Sequence, residues 1–308
     1  VVVADNASTD GSLKLMAEEF PQVRTLKFEK NLGFTGGYNR AFAELSDGPD
    51  APEYFLLINS DIEVPEDWLG PLVEWMDTHP QCGACAPKLH GWQHKDMFEY
   101  AGAAGGYIDR FGYPFCRGRI MGRVEKDKGQ YDSPTDVFWA TGACLMVRSS
   151  VYSRLGGLDE RFFAHMEEID LCWRMQLEGW KVTVVPSSTV YHVGGGTLPA
   201  TSPFKLFLNY RNNLAMIYKC APTAQRLTVA IMRPLADMMS VAIYLLKGQF
   251  KLASATLRAY RDFLAWHKDL SRKRQTIRGN AKAESNQIYR GSMVVRYMLG
   301  RHTFNNMI

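Results

Sequence analysis

Four groups of polar residues have the types and positions to do chemistry. Asp61 ends the run Phe55-Leu56-Leu57-Ile58-Asn59-Ser60-Asp61, in which an apolar strand pattern breaks into three short polar residues. Glu167, Glu168 and Asp170 open a helical pattern, and His192 closes an apolar stretch just before Gly194-Gly195-Gly196-Thr197. Asp5 and Asn6 follow the apolar start Val1–Ala4. A carboxylate at a strand end is a hard oxygen ligand for a divalent cation, and an imidazole can complete such a site. A helix-opening carboxylate can act as a general base. The glycine-rich loop Asn31-Leu32-Gly33-Phe34-Thr35-Gly36-Gly37-Tyr38-Asn39-Arg40 lets backbone approach a ligand closely, although it matches neither the P-loop nor the dinucleotide fingerprint. Together the groups fit a metal-bound phosphate beside a general base. Plainer uses stay open at this stage: helix capping for Asp61 and dipole matching for Glu167.

These groups need elements to hold them. Val1–Ala4 and Val23–Phe28 read as strands separated by a helix carrying Leu13, Met16, Ala17 and Phe20 on one face. The glycine-rich loop opens a second helix running through Leu45. The strand before Asp61 is apolar without alternation, as in a parallel sheet covered on both faces. Pro65-Glu66-Asp67 then reads as the opening of a third helix. This β-α-β-α-β order predicts an α/β fold with a mostly parallel sheet, and ligands bind such sheets at the carboxyl ends of the strands. Residues 90–135 read as an excursion without a regular layer, and Asp136–Val147 as a strand interrupted at Thr141-Gly142. Ile169, Trp173 and Leu177 share a helical face that Gly179 ends, and Val182–Val185 and Thr189–Val193 read as two strands.

With 308 residues, 12% aromatic and 22% charged, the chain can bury a full core and is not a disordered one. Six cysteines (82, 85, 116, 144, 172 and 220) show no framework spacing; Cys82-x-x-Cys85 has no second pair to complete a zinc site, so a reducing, cytoplasmic setting is expected. From Lys247 onward thirteen basic residues face three acidic ones, a local charge of +10 on a chain of net +4, leaving −6 for the rest. Such a tail suits a polyanionic partner, here an anionic membrane surface and not nucleic acid. Thr228–Leu246 is long and apolar enough to be suspected of spanning a membrane, but Arg233, Pro234 and Asp237 at its centre argue against a simple span. A helix lying in the interface, or packed on the preceding domain, is expected instead. Helices are also expected over Phe204–Lys219 and Phe250–Arg272, after a linker at Pro199–Pro203. The division is therefore 1–198, an α/β domain, and 199–308, a helical, basic region whose last thirty residues carry no pattern.

The sequence resembles the inverting nucleotide-sugar glycosyltransferases of family 2, which have the GT-A fold, and within them the rhamnosyltransferase-like bacterial branch. The motifs that carry the resemblance are VVVADNASTDGS, NLGFTGGYNRAF, LLINSDIEV, TGACLMVRSS, GGLDERFFAHMEEIDLCWR and YHVGGGT, followed by LNYRNNL, in order from Val1 to about Asn213. The resemblance implies that Asp5 reads the nucleobase, with Asn6, Gly33 and Asn39 on the donor side. It makes Asn59-Ser60-Asp61 the counterpart of a DxD site in which Asp61 binds Mg²⁺ or Mn²⁺ and Asn59 is a neutral neighbour. His192 matches a histidine that completes the metal site in some relatives. Glu168 falls on the catalytic base, with Glu167 and Asp170 as alternatives. Trp139, Thr141 and Gly142 become acceptor walls, and Arg211 reaches toward the diphosphate. The expected partners are a nucleotide-sugar donor and a glycan or lipid-linked acceptor, at the inner face of the cytoplasmic membrane. The family's first βα unit, roughly 30 residues, should precede Val1. Two other readings compete: a sugar nucleotidyltransferase, which would want a glycine- and lysine-rich loop near its first strand, and a non-catalytic carbohydrate-binding scaffold.

Overall fold

In a computed structural model of the protein, residues 1–46, 48–194 and 202–308 are described. The chain opens with β1 (Val2–Asp5), α1 (Ser12–Glu19), β2 (Arg24–Lys27) and α2 (Gly33–Ser46), followed by β3 (Tyr54–Ile58), β4 (Ile62–Glu63) and α3 (Gly70–Thr78). β1 and β2 pair in parallel as a two-stranded sheet. The turn after Asp61 differs from expectation: helix α3 begins at Gly70, and Pro71, not Pro65, occupies its first turn. Either proline satisfies the fixed φ of a first helical turn, so the sequence alone could not choose between them.

Next come β5 (Cys82–Gly91), the short strands β6 (Gly106–Asp109), β7 (Pro114–Cys116), β8 (Arg119–Ile120) and β9 (Arg123–Val124), then β10 (Thr135–Asp136) and β11 (Cys144–Arg148). After α4 (Ser149–Arg154) and α5 (Glu167–Leu177), the long strand β12 (Lys181–His192) replaces the two strands expected there. A register shift between Val184 and Thr189 explains the break in its pattern. The central sheet runs β10-β12-β5-β11-β3, with β4 pairing β12.

Strand direction is the main correction to the expected sheet. Only β5 and β12 are parallel neighbours in this central sheet; β11 runs antiparallel to both β3 and β5. The run before Asp61, β3, alternates buried and half-buried residues, and it is β5, buried from Cys82 to His90, that is covered on both faces. Helices on both sides of a mixed sheet produce that pattern as well as a parallel one does. The excursion at 90–135 is also more regular than expected, since β6 to β9 form a second sheet that the C-terminal β13 (Ile288–Tyr289) joins. Strands of two to four residues separated by left-handed glycines at 105, 112 and 118 are too short to show alternation.

The rest of the C-terminal region comprises α6 (Pro203–Cys220), α7 (Thr223–Leu246), α8 (Phe250–Ala265), α9 (His267–Gly279), α10 (Met293–Met298) and α11 (Phe304–Met307). Phe304 and Met307 are buried in the same core as Phe138, Phe162 and Trp173, so the patternless last residues close the second sheet. The motif residues Gly195, Gly196 and Thr197, and the linker at 199–201, lie outside the described residues.

Candidate active site

Backbone pairing brings the predicted groups to one end of the central sheet. Asn59 follows β3 directly and donates its N–H to the carbonyl of Ala143 at 2.9 Å. That bond holds the end of β3 beside Gly142, where a Cβ would meet the ring of Phe34 at 3.2 Å and the Cβ of Glu168 at 3.5 Å. On the far side, β4 aligns Ile62 with His192 of β12, and Val193 donates to the carbonyl of Asp61. Asp61 and His192 therefore meet, with Nε2 of His192 3.2 Å from Oδ1 of Asp61.

His192 lies between two carboxylates. Its Nδ1 sits 3.3 Å from Oε1 of Glu99, and the angle stops short of a hydrogen bond. Glu99 is fixed from behind by the backbone N–H of Ala101. Burial opposes protonation of His192, but the carboxylates of Glu99 and Asp61 outweigh it and raise its pKa above the ordinary histidine value. This corner favours a positive charge. Asp61 and His192 supply one oxygen and one nitrogen donor, and Glu99 is placed to fix the imidazole tautomer as outer carboxylates do around metals. No set of three protein ligands gathers among the described residues. That fits a hard cation held by one or two protein groups and by the phosphates of a ligand.

Helix α5 presents the second half of the site. Glu167 and Glu168 occupy its first turn, and the Oε2 atom of each is buried without a hydrogen-bond partner. Burial raises the Glu168 carboxyl from 4.5 to about 7. Glu167 is pushed well above its ordinary value by burial first and by the charges of Glu168 and Asp170 next. A helix N-terminus stabilises an anion, yet here desolvation wins. A half-buried carboxylate with a pKa near neutrality is suited to accept a proton. Asp170 is different. It takes Arg174 Nε at 2.8 Å and Lys219 Nζ at 2.9 Å in a fully buried network, so it is a structural anion and not an alternative base.

The loop leading into α5 is backbone-strained. Phe163, His165 and Met166 all have φ between 66° and 71°, a region costly for residues with a Cβ. Arg211 and Asn212 of α6 hold it. Asn212 donates to the carbonyls of Phe162, Ala164 and His165 at 2.8–3.0 Å, and Arg211 donates to those of Arg161 and Phe162. Arg211 also stacks between Phe207 and Trp266. Its guanidinium is thus engaged in positioning the loop.

Several other residues expected on the donor side also make contacts within the scaffold. Asn39 accepts from Tyr152 and Leu158 and donates to Leu158 and Glu160, which fastens α2 to the loop before the strained segment. Gly33, at φ 72°, lets Phe163 pack where a Cβ would stand 2.4 Å from its ring. Asn6 ties β1 to the start of α2 through Leu32 and Gly33, and buried Asp5 accepts the N–H of Ser8 across its turn. Among the expected acceptor walls only Gly142 lies beside Glu168. Trp139 is a core residue whose indole donates to the Tyr107 carbonyl and packs on Gly106, and buried Thr141 accepts the Ala143 N–H. Ser60 is exposed next to Asp61. Glu99 and Lys219 escaped the sequence reading: Glu99 lies in the patternless excursion, while Lys219 sits in an ordinary amphipathic helix.

Comparison with known proteins accords with this geometry. Residues 1–155, half of the chain, match the model of Glycosyl transferase family 2, and the chain belongs to that family. An N-acetylglucosaminyl-diphospho-decaprenol L-rhamnosyltransferase of Mycobacterium tuberculosis (strain H37Rv) is 29% identical over 201 residues, covering 62% of this chain and 66% of the relative. The rhamnosyltransferase WbbL of Escherichia coli (strain K12) is 25% identical over 162 residues, covering 52% and 60%. The chain thus spans somewhat less than two thirds of the relatives it matches. A crystal structure of GalNAc-T7 with UDP, GalNAc and Mn²⁺ superposes with a TM-score of 0.52 at 15% identity, over 71% of this chain and 41% of the other, and supports the GT-A-like fold.

Proposed function

We propose that the protein is a metal-dependent inverting glycosyltransferase. It moves a hexosyl or deoxyhexosyl group, in the manner of a rhamnosyltransferase, from a nucleotide-sugar to a hydroxyl of a glycan or lipid-linked acceptor in cell-surface polysaccharide synthesis. The observation that carries this reading is Glu168. It is a carboxylate with one buried, unpartnered oxygen, poised near neutrality and linked through Gly142, Ala143 and Asn59 to the Asp61–His192–Glu99 corner.

In this reading Glu168 accepts the proton of the acceptor hydroxyl. The oxygen attacks the anomeric carbon on the face opposite the nucleoside diphosphate, the bond to the diphosphate breaks, and the configuration inverts. Asp61 and His192 hold Mg²⁺ or Mn²⁺, which when bound offsets the charge growing on the leaving diphosphate. Asn59 and Ser60 flank that corner, and Gly142 packs directly against Glu168 and Phe34. Residues 1–198 form the catalytic domain, and 199–308 are its helical, basic extension on the cytoplasmic face of the membrane.

Titration calorimetry with a panel of nucleotide-sugars, with and without Mn²⁺, tests the donor site. Metal-dependent binding of one donor is expected, and it should weaken about 10–100-fold in Glu99→Gln as the His192 tautomer is released. Donor binding indifferent to metal, or no donor binding at all, would sink the proposal.

A further inference from the structure

Helix α7 is inside out by the standard of a soluble surface helix. Its inward stripe is Val229, Arg233, Asp237 and Val241, spaced at i, i+4, i+8 and i+12, and it buries the two charges at the helix centre. Arg233 pairs with Asp237 and donates to Asn213 and to the Phe111 carbonyl. Asp237 also accepts from Tyr260 at 2.6 Å and from Tyr113. The outward stripe is apolar: Ile231, Leu235 and Met239 are 63–66% exposed and Leu246 is 89% exposed. It extends along a helix of 24 residues, about 36 Å. A soluble helix exposes its charges and hides its apolar stripe, and an exposed stripe of this length marks an interaction surface.

The neighbouring helix supplies the sign of the partner. On α8 the outward positions include Lys251, Arg258, Arg261 and Leu264, with Lys247 in the turn before it and Lys268 just after it. Between α7 and α8 a groove of about 360 Å³ is apolar on Leu245, Phe250 and Leu257 and carries Arg258 and Arg261. A symmetric pairing of two such faces would bring like charges together. An anionic bilayer offers both the apolar layer and the phosphates.

We infer that the outward face of α7, with the basic edge of α8, docks the protein onto an anionic lipid surface, α7 lying in the interface and not crossing it. A crossing helix would strip Arg233 and Asp237 of their partners and leave them in hydrocarbon. This inference rests on the proposed function for its purpose, since it explains how a soluble donor and a lipid-anchored acceptor meet. The fold provides the route. Arg258 lies over Phe207, Phe207 neighbours Phe204, and Phe204 meets Phe163 at the start of the strained loop that leads to Glu168. A docked α8 therefore puts lipid within a few side chains of the base.

The test is flotation of the full chain with phosphatidylcholine vesicles with and without phosphatidylglycerol, at low and high salt, followed by alkaline carbonate washing. The wild type should float with the anionic vesicles at low salt and be released by carbonate. Leu235→Glu with Met239→Glu should lower the floated fraction roughly tenfold or more, and Arg258→Glu with Arg261→Glu should remove the dependence on phosphatidylglycerol. All four positions are solvent-facing, so melting temperature and nucleotide-sugar binding should stay at wild-type values. Failure of the wild type to float, flotation unchanged by the α7 pair, or carbonate-resistant attachment would each overturn the inference. So would light scattering that shows a dimer which the α7 pair makes monomeric without any flotation. Donor binding is read separately, so a lost docking face and a wrong donor site give different results.

Discussion

Two clusters of carboxylates lie on or against the first turns of the same helix and have opposite fates. Glu167 and Glu168 each bury an oxygen without a partner and are held above their ordinary pKa. Asp170, one turn on, meets Arg174 and Lys219, and Lys219 also binds Asp159, which in turn takes Lys273 at 2.7 Å. The Asp159 carboxyl is correspondingly held below its ordinary value: burial works against this, but the two lysines prevail. A buried charge with every partner in place is part of the scaffold. A buried carboxylate left without partners costs stability, and such a cost persists where a reaction needs the group. The paired cluster also forms a wall of a cavity of about 590 Å³ between the Gly156-Gly157 turn and α9.

The sharpest way to break this contrast is Glu168→Gln. Turnover, followed as released nucleotide, should fall about 10²–10⁴-fold with donor binding near normal; unchanged turnover would return Glu168 to the scaffold. Next in size is Lys219→Met, which leaves Asp159 and Asp170 short of a cation. Urea unfolding should show a loss of about 3 kcal/mol or more, and a neutral result would mean the paired cluster is dispensable.

A smaller effect is expected at the loop between the two clusters. Asn212→Ala frees three carbonyls of the strained segment 162–165. It should cost about 1–3 kcal/mol of stability and lower kcat more than KM. Asn212→Gln, which keeps the amide donor, should recover part of the loss.

The mildest test is the pH dependence of melting. The folded pKa of Glu168 is raised from 4.5 to about 7. Its contribution is therefore complete below 4.5 and lost as pH rises through 7. Glu168→Gln should consequently melt higher than wild type at pH 8 and level with it at pH 4. The folded pKa of Asp159 is depressed, so its contribution is present above the ordinary value of 3.8 and lost on acidification. Asp159→Asn should be destabilised at neutral pH, with the gap closing as pH falls below 3.8. Parallel curves for the two variants would erase the distinction.

Much of this was legible in the chain. Residue type and order singled out Asp61, Glu168 and His192, the glycine-rich turn, and the helices α5 to α8, because strand ends, caps and 3.6-residue periodicity are local signals. Strand direction was not legible, since burial on both faces looks alike in parallel and mixed sheets. Nor was the second sheet, whose strands are shorter than one period of pattern. The clamping contacts of Arg211 and Asn39 were not legible for a related reason. A polar side chain in a motif can face a ligand or clamp a loop, and the choice depends on carbonyls more than forty residues away in sequence.

The sequence by itself determined which chemical groups the protein possesses and which family it belongs to. Only the tertiary structure decided which of those groups are free. Glu168 and Asp170 are two residues apart with nearly the same chemistry. What separates them is that α6 brings Lys219 to one, while the other packs beside Gly142 with no cation against it. The same holds for α7, where packing against Tyr113, Asn213 and Tyr260 turned the charges inward and left an apolar face outside. Long-range contacts set solvation and partners, and solvation and partners set what a side chain can do.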